Sequence, residues 1–394
     1  MELDFLLSLA LILIVTKIFG LITRRAHLPQ VVGALLAGII LGPAILGIIQ
    51  PDYMMTTLSE IGAVLIMFSA GLGTDFKQLR GVLKASMTIA VLGAAVAFAG
   101  GLALALFFGQ NTLQSVFVGV VLTATSVGIN VEALQEMGKL KTKAGTTILG
   151  AAVIDDILGI IILSVMMGMG LGLGAGDVSH MDALLTLLRI FVFFIIAVIL
   201  GLGAFKLFEY LSIKMREARG LPIFGLAFCF FMAFLSDRFG VGDVIGAYIA
   251  GLVLCNSKAE KHILEKSTIL SFMFFSPIFF VSVGLNTSFA GLGAGAITFT
   301  ILLLVVAVVS KLLGCGFGAF ICGYSKEESA QVSVGMISRG EVAIIIATQG
   351  VGAGLMNADL FSSVIFVVVA TTLISPVLLK KVFNFKNRSI SPGT

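Results

Sequence analysis

At 394 residues the chain has the length of two or three soluble domains, yet 58% of it is hydrophobic and only 12% charged, with a mean hydropathy of +1.13. That balance excludes a soluble enzyme held by one anchor and defines an integral membrane protein. The formal net charge of +4 comes without a run of Lys and Arg, so it points to membrane topology and gives no reason to expect a nucleic-acid partner.

Apolar runs bounded by charges, Gly or Pro predict thirteen spans, at 5–22, 31–49, 58–73, 85–108, 113–131, 145–167, 184–208, 221–236, 244–256, 268–285, 293–321, 328–349 and 358–379. A helix rising about 1.5 Å per residue needs about 20 apolar residues to cross the hydrocarbon. The runs lack the alternation of a membrane β-strand, so an all-α bundle is expected. The first run has no basic flank or small-x-small cleavage site and is read as a span, not a signal peptide.

Alternate loops carry Arg24 and Arg25; Lys77, Arg80 and Lys84; Lys139, Lys141 and Lys143; Lys214, Arg216 and Arg219; Lys258, Lys261 and Lys266; Lys326; and Lys380, Lys381, Lys386 and Arg388. The remaining loops carry mainly acids, Asp52, Asp177, Asp182, Asp243 and Asp359, with Arg238 the clear basic exception. The positive-inside rule then puts the N-terminus outside and the C-terminus in the cytoplasm, as thirteen spans require.

Two ungapped matches disclose an internal repeat. GALLAGIIL from Gly33 matches GAYIAGLVL from Gly246, and SAGLGTDF from Ser69 matches SVGLNTSF from Ser282, both at the same offset along the chain. Each pair is separated by seven spans, an odd number, so the copies are expected upside down relative to one another. Inverted repeats of this kind mark secondary transporters, whose substrates bind near the midplane. Spans one to six and eight to thirteen form the expected repeats, with span seven as the connector.

An ionised group at the bilayer centre costs at least about 2.5 kcal/mol on insertion scales. Those deep in apolar sequence are Lys17, Asp155, Asp156, Lys311, Arg339 and Glu341. Asp155 and Asp156 share the sixth span and project about 100° apart, so the two carboxylates can do different work. Lys311, at comparable depth in span eleven, is the natural counter-ion for one of them. The other is then a group that binds either a proton or a cation. TATSVGI (123–129) interrupts span five with the hydroxyls of Thr123, Thr125 and Ser126, and the repeat offset carries it to MISRGEV (336–342) in span twelve. Both are expected as helix breaks whose exposed carbonyls and half-helix ends coordinate ions or offset charge, although such hydroxyls also back-bond within a helix. Arg339 and Glu341 stand too close in sequence to face one another and are read as neutralising half-helix ends or pairing with other groups, including Glu60.

Several features point nowhere. Cys229, Cys255, Cys315 and Cys322 lack a CxxC spacing, and His27, His180 and His262 lack ligand spacing, so no transition-metal site is expected. GLGAGD from Gly172 and GLGAGA from Gly291 are read as turns, not nucleotide cradles. GVGD from Gly240 resembles one element of intramembrane aspartyl proteases, but no YD partner occurs anywhere, so the chain is not expected to be an enzyme. Lys17 is left between snorkelling to an interface and binding lipid.

IDD in one mid-chain helix, the lysine of SKLLG, the RGE element of the next helix and the repeated spans together resemble the second family of monovalent cation:proton antiporters. The resemblance is closest to its bacterial sodium/proton exchangers of the two-aspartate type, and it covers essentially the whole chain. It implies the sodium/proton antiporter fold: two inverted six-helix repeats with two crossed discontinuous helices. It divides the chain into dimer or panel helices at 1–84 and 221–291, core helices at 85–167 and 292–380, a linker helix at 168–220 and a short cytoplasmic tail at 381–394. By position, Asp156 resembles the essential ion-binding carboxylate, Asp155 the partner of Lys311, and Thr123 through Ser126 the crossing segment. A homodimer in the cell membrane is implied, contacting lipids and needing no cofactor, with no nucleotide-binding regulatory domain.

The expected activity is electrogenic exchange in which protons and a transient sodium or lithium ion compete for Asp156. A ligand shifts an orientation equilibrium only by binding its states differently, and the bare negative site is the one too costly to move across the barrier. A potassium/proton antiporter and a sodium-coupled organic-solute symporter are the alternatives.

Overall fold

Where water is absent the backbone must bond to itself, and a helix does so within one segment. The structure is a computed structural model that describes residues 2–25, 29–168, 180–214, 220–285, 294–352, 354 and 356–388. Among these, the first copy of the expected repeat holds α1 (Glu2–Arg25), α2 (Gln30–Leu41), α3 (Tyr53–Gly73), α4 (Phe76–Phe107), α5 (Thr112–Thr123), α6 (Val127–Glu136) and α7 (Lys143–Gly168). The connector is α8 (His180–Lys214). The second copy holds α9 (Leu221–Arg238), α10 (Asp243–Leu254), α11 (Glu260–Leu270), a π-helical turn (Ser271–Phe275), α12 (Ser276–Leu285), α13 (Ala294–Ile321), α14 (Lys326–Gly335), α15 (Glu341–Gly352) and α16 (Ala358–Arg388). Nine stretches among the described residues are long and apolar enough to cross a membrane. His27 and the segments at 172–177 and 291–293 lie outside the described residues.

The chain divides into two compact units. One comprises Met1–Gln50, Val82–Gly159 and Val283–Thr394, and the other Pro51–Gly81 and Ile160–Ser282. Helices α1 and α2 thus fall in the same unit as α5, α6, α13, α14, α15 and α16. On α1, Ile14, Ile18 and Leu21 are exposed apolar side chains, and Lys17 is exposed among them.

Three expected boundaries are corrected. The second span, expected over 31–49, is helical only to Leu41. Pro43 disfavours the α conformation at the preceding residue, and Gly42 is extended, at φ −80° and ψ −177°. The interruption of the fifth span is shorter than the expected 123–129, since helix resumes at Val127 once Ser126 caps it. The interruption of the twelfth span closes at Gly340, because helix resumes at Glu341.

The offset that carries Gly33 to Gly246 carries α2 onto 243–254, the bounds of α10, and carries Ala124–Ser126 onto 337–339, inside the second break. The matched motifs also have a steric reason to persist. In the second unit α3 meets α10 through Gly71 and Gly251: a Cβ on Gly251 would lie 2.7 Å from the Leu72 amide nitrogen, and one on Gly71 2.9 Å from that of Leu252. In the first unit a Cβ on Gly284 would lie 2.6 Å from the Leu35 carbonyl oxygen and 2.7 Å from the Ile39 nitrogen. The same positions of the repeated motifs let backbone lie directly on backbone, which only a missing side chain allows.

Candidate ion-binding site

Both interrupted helices belong to the first unit, and they cross at their breaks. Ala124 and Ser126 are extended, with ψ of 140° and 118°, so the segment cannot bond along a helix axis. Its unmet donor turns to the other break instead: the Ser126 amide donates to the Ser338 carbonyl at 2.8 Å. A Cβ on Gly340 would lie 2.7 Å from Ser126 Cβ, so glycine there is what permits the approach.

Asp155, Lys311 and Arg339 meet the backbone or side chains of this crossing. Asp155 and Lys311 are fully buried, Asp156 is 1% exposed, and Arg339 is fully buried. Lys311 Nζ pairs with Asp155 Oδ2 and donates to the Thr123 carbonyl at 2.8 Å. Thr125 Oγ1 donates to the same Asp155 oxygen at 2.7 Å. The other oxygen, Asp155 Oδ1, has no hydrogen-bond partner among the described residues. Asp156 follows on α7, its side chain turned about 100° away around the helix.

Arg339 answers the electrostatics of the break. Helix α5 ends at Thr123 with carbonyls that lack intrahelical donors and carry the negative end of the helix dipole. Arg339 donates from Nη2 to the Leu122 carbonyl at 2.8 Å and from Nη1 to the Ile337 carbonyl at 2.9 Å. Together with Lys311 on the Thr123 carbonyl, it brings two cations to the end of one half-helix. Its own carbonyl accepts from Thr372 Oγ1 of α16 at 2.6 Å.

The expected residues are therefore not all of one kind. Thr125 reaches the carboxylate through its hydroxyl. The Thr123 hydroxyl back-bonds to Val120 at 2.7 Å, and it is the Thr123 carbonyl that meets Lys311. Ser126 Oγ caps α6, accepting from the Ile129 amide at 3.4 Å. Glu341 opens α15, but its side chain lies outside those described. Glu60 is exposed on α3, in the second unit. Sequence reasoning missed Asn130 and Ser338, both buried, which bond to one another across the crossing. A neutral amide and a hydroxyl carry no charge anomaly; the signal for Asn130 was a polar residue four positions past Ser126, and for Ser338 its place inside the expected break at 336–342.

Hydroxyl, carbonyl and carboxylate oxygens around two broken helices, with a lysine able to compensate charge, form a site suited to a hard monovalent cation or a proton. No group of three His, Cys, Asp or Glu able to hold a metal occurs among the described residues. The fold and this arrangement define a multi-pass secondary transporter with two crossed discontinuous helices.

The comparisons name the family. Residues 9–384 match the family model for the transmembrane sodium/hydrogen exchanger, and the chain belongs to that family. It is 39% identical over 391 residues to the Na(+)/H(+)-K(+) antiporter GerN of Bacillus cereus, covering 99% of both chains. It is 37% identical over 378 residues to the Na(+)/H(+) antiporter of Enterococcus hirae, covering 96% of this chain and 97% of that one. In fold it is similar to the sodium proton antiporter MjNhaP1 of Methanocaldococcus jannaschii, with a TM-score of 0.72 at 19% identity over 97% of each chain.

Proposed function

We propose that the protein exchanges sodium, or lithium, for protons, and that Asp156 is the group the two ions share. The observation that carries this reading is the fully buried Lys311–Asp155 pair at the crossing of two broken helices, with a second buried carboxylate at the next position of α7. A lysine–aspartate pair alone needs one carboxylate. A second in the same low-dielectric place is tolerated when it exchanges a proton for a cation.

In the proposed cycle, Thr125 and the break carbonyls orient around the carboxylates, and Lys311 re-pairs with or releases Asp155 as charge enters. Only the loaded site crosses the barrier. If both aspartates and Lys311 take part in proton counting, more than one proton moves per cation and exchange is electrogenic. The same reading takes the two copies as inverted repeats, core helices moving against panel helices. It also places the protein as a homodimer in the plasma membrane, with its N-terminus outside. Potassium is the second reading, favoured by the name of the 39%-identical relative.

The test is proteoliposome exchange with each of sodium, lithium and potassium under an imposed pH gradient. Asp156→Asn is expected to abolish cation-dependent proton flux, and retention of the wild-type rate rejects the assignment. Repeating the measurement with the voltage clamped by valinomycin and potassium separates electrogenic from neutral exchange.

A further inference from the structure

The Ser126–Ser338 backbone bond, the Arg339 guanidinium on the Leu122 carbonyl and Thr125 Oγ1 at 3.5 Å from the Met336 carbonyl all tie the first break to the second. To these Asn130 adds a tie made from inside a helix. It sits one turn into α6, buried, and its Nδ2 donates to the Ser126 carbonyl at 2.7 Å. Its Oδ1 accepts from Ser338 Oγ at 3.0 Å, and Ser338 Oγ also lies 3.4 Å from the Ser126 carbonyl. One side chain thus bonds its own break with its donor and the facing break with its acceptor. Only an amide has both at this reach: an ionised aspartate cannot donate, and an aliphatic residue can do neither.

The repeat argues that this amide is not needed merely to build such a helix. In the second copy Asn130 corresponds to Ala343 on α15, which is fully buried without any side-chain polar group. What stands beside Asn130 gives it another use. Ser126 follows Thr125, whose hydroxyl is on Asp155, and lies three residues past Thr123, whose carbonyl is on Lys311.

We infer that Asn130 and Ser338 form a clasp that fixes the register between the two unwound segments, and thereby positions the Thr125 hydroxyl on Asp155 and the Thr123 carbonyl on Lys311, beside Asp156 on the same helix as Asp155. Both are positioning residues; among the described residues neither hydrogen-bonds to Asp155 or Lys311. This deepens the exchanger reading and rests on it.

Asn130→Ala, Ser338→Ala and the double variant are compared in proteoliposomes as the apparent KM for sodium, the maximal exchange rate and the sodium-induced rise in melting temperature. Each single variant is expected to raise KM about five- to tenfold, the factor carried by one or two hydrogen bonds, with the maximal rate kept within about twofold. Because the two residues act as one device, the double variant is expected to be no worse than the more affected single. Ser338→Thr, which keeps the hydroxyl, is expected to restore a KM near wild type. An unchanged KM in the singles, or effects that multiply in the double, overturns the clasp. Should Asn130→Ala fail to assemble, Ser338→Ala against Ser338→Thr decides alone by the same KM criterion. A wild-type protein showing no sodium-dependent proton movement would instead sink the exchanger reading, a result distinct from wild-type exchange with unshifted variants.

Discussion

The break after α5 is lined by neutral residues, Ala124, Thr125 and Ser126, whereas the break after α14 holds the fully buried Arg339. Between the two copies Ser126 corresponds to Arg339, Thr125 to Ser338 and Val127 to Gly340. The divergence extends beyond the breaks. Asp155 and Asp156 on α7 correspond to Val368 and Val369 on α16, and Lys311 on α13 corresponds to Phe98 on α4. The repeat supplies the backbone device twice, but the buried Asp155 and Asp156 come from one copy and the buried Lys311 and Arg339 from the other. Had both copies kept the acids, four carboxylates would have had to share one buried place. Divergence leaves one buried ion pair, Lys311 with Asp155, drawn from the two copies.

The sharpest way to break this comparison is to discharge one copy at a time. Lys311→Met strands Asp155 in the interior, and removing one member of a buried pair typically costs about 3–5 kcal/mol. Adding Asp155→Asn discharges the partner too and is expected to return most of that loss. Thermal melting in detergent across the four proteins of the cycle measures the coupling. A double variant no more stable than Lys311→Met would mean that the two copies are not compensating one another.

A smaller effect separates the breaks themselves. Arg339→Leu removes the donors to the Leu122 and Ile337 carbonyls, and buried acceptors left unmet cost about 1–3 kcal/mol each. The expected loss is about 3 kcal/mol, together with transport. At the corresponding position of the first copy, Ser126→Ala removes the cap on α6, at about 1 kcal/mol. Equal melting temperatures for the two variants would erase the asymmetry of the breaks.

How much of this was legible follows the same physics. Charge in hydrocarbon is expensive enough to be conspicuous, so Asp155, Asp156, Lys311 and Arg339 stood out in the sequence; the structure buries all four and brings the side chains of Asp155, Lys311 and Arg339 to the breaks. The motif glycines were legible because close backbone contact forbids any other residue, which preserved both matches at one offset. Asn130 was not, because a neutral polar residue in an apolar helix is cheap once bonded; Ser338 lay inside the expected break at 336–342 but was not singled out, its partner being 208 residues away. Nor was the choice between the Thr123 hydroxyl and its carbonyl, since composition carries no record of which atom turns inward. The early end of α2 was present in the Gly42–Pro43 pair, but apolar residues continue past it to Ile49 and hid the turn.

The finest distinction between the copies is steric. Where the first copy carries Val127, the second needs Gly340, because Ser126 Cβ would lie 2.7 Å from an added Cβ and Ser126 Oγ 2.5 Å. The hydroxyl can rotate aside, but Cβ moves only with the backbone of the first break. Gly340→Ala is therefore expected to cost about 1–3 kcal/mol, the usual range for overpacking. It should also raise the apparent KM for sodium by pushing the two segments apart. Ser126→Gly on its own loses only a few tenths of a kcal/mol as a cap, yet in the Gly340→Ala background it removes the atoms that clash. The double variant should then melt above Gly340→Ala alone. If it melts lower, the close approach of the two breaks is not what demands glycine at this position, and the difference between Val127 and Gly340 needs another cause.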